Sequence, residues 1–168
     1  MHTVRDSKVG KGERMNWRKH LLKIWNFWPP FLFTGVKIIK MSDDFRQASV
    51  KLKLRFWNAN YRGTAFGGSI FLLTDPFYMV MLINILGPEY SVWDKSATIR
   101  YLKPGLSDLF ANFQLTEEDL NAIRTNVDEK GKTEWHRIIE VKDKEGSVIA
   151  EVEKIISIKK KVSSSASH

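Results

Sequence analysis

The sequence predicts an α+β domain in which a curved antiparallel sheet wraps one long buried helix. Three observations lead there. Residues 70–86 are apolar on nearly every face, so protein must surround them on most sides. Elsewhere, apolar and polar residues alternate with the period of a half-buried strand, as in Ala48, Val50, Leu52, Leu54 and Phe56 against Ser49, Lys51, Lys53 and Arg55. The chain's 168 residues suffice for one domain and are short for two. A sheet folded around the helix is the simplest way to bury it.

Taken in order, residues 1–14 are polar and aperiodic and read as a disordered basic tail. A domain then runs over 15–158, beginning with a helical extension at 15–33. There Trp17, Leu21, Ile24, Trp25 and Trp28 form one apolar stripe, Asn16 is placed to cap, and Pro29-Pro30 are expected to stop the helix. This stripe, with Phe31, Leu32 and Phe33 after it, is expected to dock on protein rather than anchor in a membrane. Strands follow at 36–41 and 48–56, separated by the turn residues Ser42-Asp43-Asp44. A polar loop leads to Gly67-Gly68 and the buried helix, closed by Gly87-Pro88 and expected to kink at Pro76. Strands are expected at 95–103 and 109–115, with a weakly helical acidic insertion at 117–127. A hairpin, 134–142 and 148–158, turns at Asp143-Lys144-Glu145-Gly146. The end, 159–168, reads as a second basic, Ser-rich tail.

Charge and composition narrow the function. The net charge is +8, but the two tails hold +5 of it and Arg18, Lys19 and Lys23 the rest, leaving residues 29–158 neutral. That distribution argues against a nucleic-acid groove. The absence of cysteine excludes disulfides, thiol catalysis and zinc sites with sulfur ligands. Four histidines, two of them at the termini, offer no structural metal site, and no cofactor is expected. No secretory leader is apparent, which makes the cytoplasm the default compartment. Asp75 near the middle of the apolar stretch would cost roughly 3 kcal/mol at a bilayer centre, so stable membrane insertion is not expected.

No phosphate loop, GxGxxG, GxSxG or HExxH pattern is present. What remains is a polar loop, a Gly-Gly pair opening a buried helix, and a carboxylate inside that helix. Glycines at a helix start let a substrate oxygen approach unpaired N–H groups, which can polarise a carbonyl or stabilise an oxyanion. Asp75 lies two turns further on among Leu72, Leu73 and Phe77, where burial would raise its pKa toward that of a general base. It could equally be a structural carboxylate capping backbone freed by Pro76, and Gly67-Gly68 could serve close packing alone. Asp94 and Lys95 read most simply as a surface ion pair.

The run Asn60-Tyr61-Arg62-Gly63-Thr64-Ala65-Phe66-Gly67-Gly68, with Asp75 after it, resembles the N-x-x-G-x-x-H-G-G-x6-D signature of hot-dog acyl-CoA thioesterases of the phenylacetyl-CoA type. Arg100-Tyr101-Leu102-Lys103-Pro104-Gly105 is similar to that family's strand ending in Pro, and the likeness spans roughly residues 30–158. The spacing matches throughout, and Phe66 stands where the family has histidine, as in an uncharacterised bacterial branch.

The resemblance implies a hot-dog fold paired as a homodimer or tetramer, and hydrolysis of a fatty or aromatic thioester of CoA or acyl-carrier protein. Asp75 would be nucleophile or general base in a site shared across a dimer, and Gly67 and Gly68 would polarise the thioester carbonyl in the opposite subunit's site. Asn60 would position substrate or water. Phe66, Ser69, Asp94 and Arg100 would face the substrate. Because Phe66 replaces the histidine, a non-catalytic acyl-binding or acyl-sensing protein is the alternative. A hot-dog hydratase is less compatible, since no histidine lies near the motif.

Overall fold

The computed structural model describes residues 24–161. The first tail, the first part of the expected N-terminal helix with Trp17 and Leu21, and residues 162–168 lie outside the described residues. Lys159 and Lys160, expected in the second tail, instead extend the last strand through its pairing with residues 90–91 and 132. Ten elements follow in order: α1 (Pro29–Thr34), β1 (Val36–Met41), β2 (Gln47–Leu52), α2 (Gly67–Leu72), α3 (Phe77–Leu86), β3 (Tyr90–Tyr101), β4 (Leu109–Gln114), α4 (Glu117–Lys130), β5 (Lys132–Asp143) and β6 (Val148–Lys160). The strands form one antiparallel sheet in the order β1-β2-β4-β5-β6-β3. Its inner face packs on α2 and α3 around Leu73, Phe77, Met81 and Leu82, all fully buried. This is the hot-dog arrangement.

Residues 24–26 are helical, the helix gives way to a turn at Phe27 and a bend at Trp28, and Pro29-Pro30 stop it as expected. The same two prolines then occupy the first positions of α1, where a missing N–H costs nothing and a fixed φ fits the first turn. Phe31 follows, with no exposed surface, its ring 5.8 Å from Phe77 and 5.3 Å from Trp28. Docking is therefore partial. Phe31 and half-buried Trp25 face the core, whereas Ile24, Phe27, Trp28, Leu32 and Phe33 remain exposed. Asn26 ties this segment to the sheet edge, accepting from Ile38 N at 2.8 Å and donating to Ile38 O at 3.2 Å.

β2 stops at Leu52, earlier than the alternation implied, and Phe56 is 89% exposed. Asn58 explains the departure. Buried, it accepts from Arg55 N at 2.7 Å and donates to Thr34 O and Lys53 O, both at 2.8 Å, folding residues 53–58 back against α1. Gly35, at φ +80°, makes room for it: a Cβ there would sit 2.3 Å from Asn58 Nδ2.

The expected acidic insertion is a full helix, α4. Thr116 and Asp119 form a reciprocal capping box, Gly131 ends the helix in the left-handed conformation, and Leu120, Ile123 and Val127 are buried. Arg137 of β5 reaches back to the Asp119 carboxylate, joining helix to sheet. Residues 67–86 are long and apolar enough to cross a membrane by length and composition; here half of that window is buried within the fold.

Candidate active site

The expected single buried helix is two helices. α2 ends at Leu72, residues 73–76 form a turn, and α3 restarts at Phe77. Pro76 is the cause: it has no N–H for an i−4 bond, and its ring crowds the carbonyl side of the preceding turn. Thr74 fills part of the break by donating its hydroxyl to Phe71 O at 2.7 Å. The break carries Asp75 out of the core, leaving 41% of its side chain exposed. The burial argument made for Asp75 from sequence does not apply to it.

It applies instead to a neighbour. Lys154, on the inner face of β6, is 1% exposed, and its Nζ lies 2.6 Å from Asp75 Oδ1 and 3.0 Å from Asp94 Oδ2. Burial raises the Asp94 pKa; the Lys154 ammonium opposes that, and the Asp75 carboxylate adds to it. Asp94 Oδ1 is buried without a hydrogen-bond partner. Asp94 does not pair with Lys95, which instead bonds Glu134 at 2.6 Å. Successive side chains of a strand point to opposite faces, which separates the two, and a register shift in β3 lies beside them between Asp94 and Ser96.

Lys154 is the functional candidate that sequence reasoning missed, and a signal for it existed. On β6 the residues Ala150, Val152, Lys154, Ile156 and Ile158 share a face, and all are buried. A lysine in a core register is almost never tolerated without a partner of opposite charge.

The remaining candidates divide. Gly67 and Gly68 open α2, and no side chain caps that start. The Tyr101 hydroxyl donates to Gly67 O at 3.1 Å, and the Phe66 ring lies so close to Gly68 that a Cβ would come within 2.6 Å of it. With only six residues, α2 has little macrodipole to offer, so carbonyl polarisation would fall to the individual amides. Phe66 is exposed and Ser69 is buried. Asn60 spends its side chain on its own loop: Oδ1 accepts from Arg62 N and Thr64 N, and Nδ2 donates to Thr64 Oγ1 at 2.7 Å. Arg100 is paired with Glu151 at 2.5 Å on the sheet surface, and no contact links it to the Lys154 cluster.

An apolar groove of about 810 Å³ runs between the N-terminal segment and α3, lined by Trp25, Phe27, Trp28, Met79, Val80 and Pro76, the residue after Asp75. Asp75 is thus a half-exposed carboxylate held by a buried ammonium, one residue from the lining of an apolar groove.

A hot-dog domain with a carboxylate at the break of its central helix defines the class. The chain belongs to the family described as a domain of unknown function (DUF4442), whose model matches residues 19–158. No curated protein matches it in sequence. Among solved structures, it is similar to a probable thioesterase from Pseudomonas aeruginosa at 18% identity and a TM-score of 0.73, covering 87% of this chain and 95% of that one. It is also similar to a protein of unknown function from Chlorobaculum tepidum, at 19% identity and a TM-score of 0.67, covering 88% and 97%. A thioesterase from Haemophilus influenzae aligns at 12% identity and a TM-score of 0.61, covering 88% and 94%. At these identities the likeness establishes the fold.

Proposed function

We propose that the protein hydrolyses acyl thioesters, of CoA or of acyl-carrier protein, with Asp75 as nucleophile or general base. The observation that carries this is the placement of Asp75: open to solvent on one side, held by Lys154 on the other, with an apolar groove starting at Pro76. Such a groove suits a fatty or aromatic acyl group, and a fixed carboxylate at its mouth suits attack on, or activation of water against, the thioester carbon. The uncapped amides at Gly67 and Gly68 would polarise the carbonyl, in keeping with the motif spacing and with the phenylacetyl-CoA type that it resembles. The solved thioesterases of this fold are consistent with the reading.

The test is release of free thiol from a series of acyl-CoA and acyl-carrier substrates of increasing chain length. Turnover should rise as the acyl group lengthens to fill the groove. Tight binding without thiol release would favour the acyl-binding alternative, which the exposed Phe66 ring over Gly68 supports.

The site would be completed in a homodimer. At one end of the sheet, β1 is six residues long and its Ile38 is taken up by Asn26. At the other, β3 is twelve residues long, and among the described residues nothing pairs its outer edge, where Trp93 is 68% exposed. A long bare edge is a template for a second copy. Light scattering should give a dimer or a multiple of it; a monomer at micromolar concentration would contradict the pairing.

A further inference from the structure

We infer that Lys154 is a positioning residue that binds Asp75 and Asp94 into one proton-sharing unit and holds the Asp75 carboxylate where substrate would meet it. The inference rests on the hydrolase reading above and assigns it a residue outside its motif.

The geometry supports it in three ways. One ammonium, 1% exposed, faces two carboxylates at 2.6 and 3.0 Å, so with both ionised the cluster carries a net negative charge in a poorly solvated place. One bound proton makes it neutral, which low dielectric favours. The two carboxylates are unequal: Asp75 keeps 41% of its side chain exposed and Asp94 25%, and Asp94 Oδ1 is buried with no donor to stabilise a charge. Water therefore solvates the Asp75 anion better, and the proton belongs on Asp94. Burial and the nearby Asp75 charge both raise the Asp94 pKa, in the same sense.

Facing Lys154 across β5 is Arg137, its register partner, and Arg137 is engaged by Asp119 of α4. Across β3 the register partner is Ala97. The groups that set this titration are thus Asp75, Asp94 and Lys154, with Arg137 a neutralised neighbour.

The sign of the effect follows. Removing the ammonium leaves two adjacent carboxylates with nothing to favour their charge, so the cluster gives up its proton only at higher pH. Lys154→Met keeps apolar volume on the inner face and deletes the charge. Its acidic limb of kcat should move up by about one pH unit or more, with about tenfold loss on the acidic side of the limb and recovery as the pH rises. Adding Asp94→Asn to Lys154→Met should move the limb back down, because the like charge is gone.

The experiment pairs that profile with carboxyl 13C NMR titration of the full chain, assigned with Asp75→Asn and Asp94→Asn. In the unaltered protein, Asp94 should titrate above an ordinary aspartate, and lower once Asp75 is replaced by Asn. Independent titration of the two carboxyls, each unmoved by the other's replacement, would overturn the inference whether or not any variant is active. So would a Lys154→Met profile that is lower in amplitude but unshifted in pH, which is what a merely structural lysine gives. If the unaltered protein releases no thiol from any substrate, the hydrolase reading fails, and the NMR titration still decides the shared proton.

Discussion

Asp75→Asn should lower thiol release by about 100-fold or more while leaving the melting temperature nearly unchanged, the usual loss when a general base is removed. The substitution keeps the shape of the side chain and removes its charge. Lys154 still has Asp94 at 3.0 Å, so the buried ammonium is not abandoned, and the turn at 73–76 keeps its Thr74 bond. A structural carboxylate would behave in the opposite way, with a lowered melting temperature and full activity in the folded fraction. Thermal melts beside initial rates therefore separate the two roles of one residue. The alternative from sequence, a carboxylate capping the backbone freed by Pro76, has a further difficulty. Asp75 Oδ1 accepts from Lys154, and the carbonyl of Leu72, which Pro76 has no N–H to reach, accepts from the backbone N–H of Asp75 at 3.1 Å rather than from any side chain.

Phe31→Ala is expected to destabilise the protein by about 3–5 kcal/mol, the range for emptying a buried Phe site. Phe31 has no exposed surface and begins a chain of rings that passes through Phe77, 5.8 Å away, to Phe113, a further 5.0 Å. That chain joins the N-terminal segment to α3 and then to β4, so the loss would be felt across the core. It would also loosen one wall of the groove, because Trp25, Phe27 and Trp28 are held in place by α1. Urea denaturation should show the loss in midpoint. In conditions where the variant remains folded, KM for long acyl substrates should rise more than KM for short ones. A variant as stable as its parent would mean that α1 is only loosely docked.

Most of the architecture was legible because it is written in strong periodicities. The alternation in β2, β4, β5 and β6 and the all-round apolarity of residues 70–86 leave few ways to bury both. The failures have local causes. Pro29-Pro30 stop the helix that precedes them and also open α1, a six-residue helix too short for any periodicity to announce. Asn58, one position among several polar loop residues, ends β2 early through three hydrogen bonds that no pattern announces. The site was half legible. Motif spacing singled out Asp75 and the glycines as candidates, but the register shift beside Asp94 is a property of pairing between β3 and β6, invisible along either strand alone. Lys154 was readable in principle, as one charge in an otherwise apolar face of β6, yet its partners come from segments 60 and 79 residues away. The motif's other polar member, Asn60, shows the reverse: its type suits a site, and the structure spends it on a turn.

The most direct test of the account is a crystal structure with a non-hydrolysable acyl-CoA analogue, a ketone in which a methylene replaces the sulfur. The account predicts the ketone carbon beside the free oxygen of Asp75, the acyl chain in the groove between Trp25 and Met79, and Lys154 still bound to both carboxylates. An analogue seated elsewhere on the protein, with Asp75 facing only solvent and Lys154, would contradict it.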